Sequence, residues 1–302
     1  MHPRRTPSYP RPAPRPPPAS RSSHGSATCD AGCVQHPPRP DVALVERLAA
    51  AGCVAAHEEA TELTAAAPRR GVPEEWIARR ERGEPLQWIV GSTEFCGRRL
   101  RIDTGVYVPR FHTEALARQA AARLPAGGVA AGLCTGSGVV AAHLSAVVPG
   151  AIVVGVDLSL TAVRCARRNG VAAVQGDLAG PLRPGVFDVV TAVAPDVPTN
   201  QMHLLPAEVQ RYEPNLALDG GADALDLVRR VVTAAHRLLR PDGWLLVEVG
   251  GDQAELLTTS LADHGFVEVD TWADEEGDLR GLSARHSGRG DIRPIERAGG
   301  MR

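Results

Sequence analysis

Three short segments place chemistry-bearing residues at regular intervals. Cys134-Thr135-Gly136-Ser137-Gly138 sets two glycines among small polar side chains, just after the apolar run 129–134. Glycine lets a backbone approach a ligand closely, and a helix opening there offers free N–H groups. Asp157 follows 21 residues after Gly136. A carboxylate at that point can accept hydrogen bonds from both hydroxyls of a ribose. Gly176-Asp177-Leu178 comes next. Asp177 can accept from an adenine amino group while Leu178 packs on the ring. Two cofactors fit this set. One is S-adenosylmethionine. The other is a nicotinamide dinucleotide, because Gly136-x-Gly138-x-x-Ala141 with Asp157 also satisfies the dinucleotide fingerprint. Asp157 or Asp177 alone reads more simply as a cap at a strand end. Three coordinated features at successive strand ends argue against that simpler reading.

A fourth segment, Phe187-Asp188-Val189-Val190-Thr191-Ala192-Val193-Ala194-Pro195-Asp196-Val197-Pro198, reads as a buried strand running into a Pro-rich elbow. Pro195 and Pro198 restrict φ there.

The elements that must position these residues follow from hydrophobic period. Residues 111–286 alternate strand and helix. Strands are predicted at 129–134, 152–157, 171–175, 187–193, 243–249, 266–272 and 279–284. Helices are predicted at 111–123, 138–147, 160–168, 223–240 and 253–263. Such alternation makes an α/β, doubly wound and mostly parallel sheet. Only the polar stretch 273–278 separates the last two strands, so a hairpin turns the final strand antiparallel. Seven strands ending in that hairpin are the layout of the Rossmann-like class I methyltransferase fold. Upstream, residues 41–82 read as a small helical module, broken at Pro68 and Gly71 and reopened by Pro73. From 83 to 110, alternating Leu86, Trp88 and Val90, and then Leu100, Ile102, Val106 and Val108, read as a linker of one or two β-hairpins. Residues 1–40 are Pro- and Arg-rich and predict a disordered tail without a secretory h-region. Residues 287–302 read as a flexible C-terminal tail.

Composition removes other function classes. The formal charge is −2, which argues against direct nucleic-acid binding. No apolar run reaches the ~18–20 residues of a membrane span. The sequence contains no lysine, which excludes a Walker phosphate loop and Schiff-base chemistry. The six irregularly spaced cysteines predict a reduced, cytoplasmic protein. Cys29, Cys33 and His36 imitate a metal cluster but lie in the Pro-rich tail. His112, His143, His203 and His236 lack ligand spacing, so no metal is expected. Ser137 sits in the glycine turn and not in a nucleophile elbow.

Several segments resemble one family, the protein-(glutamine-N5) methyltransferases that modify peptide-chain release factors. Gly83-Glu84-Pro85-Leu86-Gln87-Trp88-Ile89-Val90-Gly91 followed by Glu94-Phe95 is similar to the family's hairpin signature. Gly105-Val106-Tyr107-Val108-Pro109-Arg110 with Thr113-Glu114 resembles its next block. Asp157-x-Ser159, Ala166-Arg167-Arg168-Asn169, Tyr212-Glu213-Pro214 and Ala217-Leu218-Asp219-Gly220-Gly221-x-Asp223 continue the match in order, over roughly 41–286. The resemblance implies S-adenosylmethionine as cofactor, held by Cys134, Thr135, Gly136, Ser137, Gly138, Asp157, Asp177 and Leu178. It implies a protein substrate, a release factor, gripped in part by the N-terminal helices. A monomer is expected.

The chain departs from the family at the elbow. The family carries Asn-Pro-Pro-Tyr where this chain has Val193-Ala194-Pro195-Asp196. In the family the Asn side chain and a neighbouring carbonyl accept from the substrate amide, and the aromatic ring stacks on it. Gly132 also stands at the family's acidic position, and Cys134 at its first glycine. Three functions therefore remain open: glutamine methylation with altered activity, methylation of another acceptor such as a small molecule, and a silent cofactor-binding paralogue.

Overall fold

The computed structural model describes residues 40–288. The predicted tail and the Cys29, Cys33 and His36 group lie outside them, as do residues 289–302. The described residues belong to one compact unit, Pro38–Arg302.

The described residues begin with α1 (Val42–Ala50), α2 (Ala56–Ala66), α3 (Glu74–Glu81) and α4 (Leu86–Val90). Asp41 caps α1 by accepting from the Ala43 N–H at 3.1 Å. Leu44, Leu48, Ala60, Leu63, Ile77 and Ile89 bury against one another as a small core of their own. A two-stranded hairpin follows, β1 (Ser92–Phe95) with β2 (Arg98–Arg101).

Leu86, Trp88 and Val90 are helical and not extended, which corrects the strand expectation there. Pro85 precedes the helix and Gly91 ends it at φ 73°, the usual start and stop of a short helix. The helix turns Leu86 and Ile89 into the small core and Trp88 into the main one. The Trp88 indole N–H donates to the Val106 carbonyl at 2.9 Å.

The remaining elements are α5 (Thr113–Arg123), β3 (Val129–Leu133), α6 (Val139–Val147), β4 (Ile152–Asp157), α7 (Leu160–Arg168), β5 (Ala172–Gln175) and β6 (Phe187–Ala192). They continue with α8 (Ala207–Tyr212), α9 (Asp226–Leu238), β7 (Leu239–Val247), α10 (Gln253–Leu256), α11 (Thr258–Asp263), β8 (Phe266–Ala273) and β9 (Leu279–His286). The sheet order is β5-β4-β3-β6-β7-β9-β8. Strands β3 to β7 pair in parallel, and β9 is antiparallel to both neighbours. The predicted helix 253–263 is divided at Leu257, and α8 with the 3₁₀ turn Thr199–Leu204 was not predicted.

Both faces of the sheet are covered, so its central strands are apolar throughout instead of alternating. All six residues of β6 are buried. Val190 and Leu245 face a core formed with Val228, Val231, Val232 and Leu238 of α9. Val189 and Leu246 face the opposite core with Leu116 of α5, Leu144 of α6 and Val163 of α7. The α9 spacing of i, i+3, i+4 and i+10 is the helical stripe that such packing requires. The layering leaves the C-terminal ends of β3, β4, β5 and β6 open along one edge.

Candidate active site

The turn after β3 is built for close approach. Cys134 and Gly136 adopt φ of 51° and 54°, and Gly138 adopts 79° as it opens α6. A Cβ on Gly138 would stand 2.8 Å from the Ala166 Cβ, so no larger residue fits between α6 and α7. Cys134 holds that left-handed conformation with a side chain attached. Burial pushes its thiol up to about 12. Gly132 leaves its space to the Thr135 side chain, whose Oγ1 would be 3.3 Å from an added Cβ.

Asp157 ends β4 facing this turn. Its Oδ2 accepts from the Gly136 N–H at 2.8 Å and its Oδ1 from the Ser159 N–H at 2.9 Å. Desolvation raises its pKa, opposed by these backbone bonds. Asp177 and Leu178 follow β5 and line the same cleft. The Asp177 carboxylate engages Arg230 of α9 at 2.7 and 2.8 Å. Both partners are more than half exposed, so the pair holds the carboxylate only weakly. Nothing in the spacing of the sequence pointed to Arg230.

These groups wall a cavity of about 200 Å³. Ser137 lines it and is 2% exposed, and its buried hydroxyl has no hydrogen-bond partner. An orphaned buried hydroxyl beside the α6 N-terminus suits a polar ligand. With Asp157 and Leu178 it fits an amino-acid-bearing adenosine. A dinucleotide fold has strand order 3-2-1-4-5-6, without an antiparallel strand. Here β9 inserts antiparallel between β7 and β8.

The elbow forms the far wall. Val193 and Pro195 line the cavity, Ala194 is buried away from it and Asp196 is exposed. The Val197 N–H donates to the Leu218 carbonyl at 3.0 Å, and the Gly220 N–H donates to the Val197 carbonyl at 2.8 Å. The 217–223 block therefore holds the elbow in place. Arg110 lies 4.8 Å over the Tyr107 ring and donates to Glu213 Oε1 at 2.8 Å. Two blocks quoted from the sequence thus meet beside the cleft.

Sequence spacing missed Glu248. It follows β7, its N–H donates to the Ala192 carbonyl at 3.2 Å, and it is 6% exposed. Desolvation pushes its carboxyl up to about 7. His112 Nε2 stands 3.8 Å from Glu248 Oε2. The one available sign was a lone charge in the run Leu245-Leu246-Val247-Glu248-Val249. Among the described residues no group of His, Cys, Asp and Glu could hold a metal, and Cys53, Cys96, Cys134 and Cys165 are free.

The sheet order and the cleft at its C-terminal edge define an S-adenosylmethionine-dependent methyltransferase. A family described as a methyltransferase domain matches residues 132–197. The release factor glutamine methyltransferase of Geobacter sulfurreducens is 39% identical over 215 residues, 69% of this chain and 76% of that protein. That of Streptomyces coelicolor is 36% identical over 253 residues, 76% of this chain and 88% of the relative. The chain belongs to the release factor glutamine methyltransferase family. It is also similar to the 4-amino-L-phenylalanine/4-methylamino-L-phenylalanine methyltransferase of Streptomyces pristinaespiralis, 39% identical over 191 residues, 59% of this chain and 65% of the relative. No helix of the described residues is long and apolar enough to cross a membrane.

Proposed function

We propose that this methyltransferase acts on the side-chain amide nitrogen of a glutamine in a peptide-chain release factor, in the cytoplasm, with slow turnover. The observation that carries the proposal is the shared cleft: Val193 and Pro195 of the elbow face the same cavity as Ser137 and Asp157. Asp157 would hold the ribose hydroxyls, Leu178 the adenine ring, and Ser137 with the α6 amides the polar end. When bound, the cofactor supplies an electrophilic methyl group. The chain's own part is to bring the acceptor nitrogen close and aligned, which is most of the rate in such transfers.

A backbone carbonyl of the elbow would accept one amide N–H. Val193 offers no second acceptor, and Asp196 no flat face. One missing positioning bond in a pre-organised site lowers rate by about 10²–10³. The helical module supports a protein substrate. Buried Arg80 of α3 donates to Glu59 of α2 at 2.5 Å and to Glu208 of α8 at 2.8 Å. That pairing ties the N-terminal helices to the segment that follows the elbow.

A second reading is a small-molecule amine as acceptor. Asp196 beside the cleft, Phe111 at 87% exposure and the similarity to a methyltransferase named for amino-phenylalanines favour it. Incubation with methyl-labelled S-adenosylmethionine, an intact release factor and, separately, 4-amino-phenylalanine tests both. Label on the glutamine of the release factor's Gly-Gly-Gln loop is expected. Label on the amine alone overturns the first reading in favour of the second.

A further inference from the structure

Transfer of a methyl group to nitrogen leaves one proton too many on that nitrogen, and a closed cleft needs somewhere to send it. Thr113 lines the cavity. Its Oγ1 is buried, lies beside the Glu248 carboxylate and closes no hydrogen bond of normal geometry. Glu248 Oε1 is likewise buried without a partner. His112 Nε2, 3.8 Å from the other carboxylate oxygen, has a side chain 35% exposed. A residue of the cleft wall, a buried carboxylate and a half-exposed imidazole thus lie next to one another between cavity and solvent.

We propose that Thr113, Glu248 and His112 form the exit route for the proton released by the acceptor nitrogen. The inference rests on the nitrogen acceptor proposed above. The nitrogen–carbon bond forms with the nitrogen lone pair, and the bonding pair of the methyl group stays with the donor sulfur. The surplus proton passes to Thr113 Oγ1 as the hydroxyl's own proton passes to Glu248. His112 Nε2 then takes the proton from Glu248 and releases it to water, restoring the carboxylate. No oxidant or reductant is involved.

The surrounding charges suit a group that gains and loses a proton near neutrality. Burial and the Asp196 charge push the Glu248 carboxyl up, while Thr113 and Arg280 of β9 oppose them. Burial, Arg280 and Arg110 push His112 down, and Asp274 opposes them. Tyr107 also feels the Glu248 and Asp196 charges, and burial raises its phenol. The order places a weak acid next to a weak base that hands protons outward. Glu248 and His112 act through Thr113, so they are positioning residues for the proton and not contacts of the acceptor.

The test compares the full-length protein with Glu248→Gln, Thr113→Val and His112→Asn. Calorimetry with S-adenosylmethionine should give affinities within about twofold of one another, because none of the three holds the cofactor. Carbon-13 detection of labelled glutamate should show the Glu248 carboxyl titrating near neutrality in the cofactor-free protein. The transfer rate to the release factor should rise through the same pH window. Glu248→Gln should abolish that rise and cost about 10²–10⁴-fold, the range of a positioned proton acceptor. His112→Asn should move its midpoint. A Glu248→Gln protein with the parent's rate and pH profile overturns the relay. A parent that labels no release factor at any pH overturns the proposed function instead. The same pH profiles with 4-amino-phenylalanine as acceptor then decide the relay, and a Glu248→Gln protein with the parent's profile there overturns it.

Discussion

The Pro195 carbonyl oxygen stands 2.8 Å from where a Cβ on Gly220 would lie. The Cα and carbonyl oxygen of Ala224 are equally close, at 2.8 and 2.9 Å. All three atoms are backbone, so none can rotate away. Gly220→Ala must therefore move the elbow or the lead into α9. Overpacking of this kind costs about 1–3 kcal/mol. Cofactor affinity should stay near that of the parent, since Asp157 ends β4 and Ser137 lies in the turn after β3. Methyl transfer should fall at least about tenfold, because the displaced elbow misaligns the acceptor. Calorimetry beside a turnover assay reads both, and unchanged transfer would show that the elbow does not position the acceptor.

Asp157→Ala should weaken S-adenosylmethionine binding. The carboxylate holds the Gly136 and Ser159 amides and has lone pairs left for ligand hydroxyls. Hydrogen bonds to a charged group are worth about 1.5–3 kcal/mol each, so a loss of roughly tenfold to several hundredfold is expected. Equal affinities in calorimetry would remove Asp157 from the cofactor site.

The candidate cofactor residues could be picked out of the chain because they sit at the ends of successive elements, and they line one cleft. Gly136, Asp157 and Asp177 each follow a run whose apolar pattern marks a strand. The α9 stripe and the buried β6 run were equally plain. The misreading at Leu86, Trp88 and Val90 has a simple cause. Five residues make less than two helical turns, so alternating apolar residues satisfy a strand as well. Pro85 and Gly91 carried the better signal. Arg230 and Glu248 could not be placed from spacing. Arg230 reaches Asp177 across 53 residues, and Glu248 meets His112 only because α5, which His112 opens, packs against β7.

Glu248→Gln should stabilise the protein in a pH-dependent way. The folded carboxyl is raised from 4.5 to about 7. Between those values the unfolded chain ionises while the folded one keeps its proton. Stability from this group is thus highest below the unfolded value and is lost as pH rises through the folded one. A shift of that size corresponds to about 3 kcal/mol. Denaturant titrations should show the two proteins close together at pH 4.5 and Glu248→Gln ahead by a few kcal/mol at pH 8. A gap that does not change with pH would mean that Glu248 carries no raised carboxyl.

The elbow offers the most direct test of substrate. Val193 faces the cavity with no polar atom, and Asp196 puts a charge where the family has an aromatic ring. The double change Val193→Asn with Asp196→Tyr restores an amide acceptor and a stacking face. Pro195 and Pro198 restrict φ on either side, and the bonds of Val197 to Leu218 and Gly220 hold the backbone. The new side chains therefore start from a fixed frame. Methylation of the release-factor glutamine should rise about tenfold to a thousandfold, the scale of one pre-organised polar contact. Cofactor affinity should change little, because Ser137, Asp157 and Leu178 are left intact. A folded, cofactor-binding double variant with an unchanged rate would show that glutamine is not the acceptor this elbow serves. If that variant also lost activity on 4-amino-phenylalanine, the carboxylate of Asp196 would stand as the group that selects an amine.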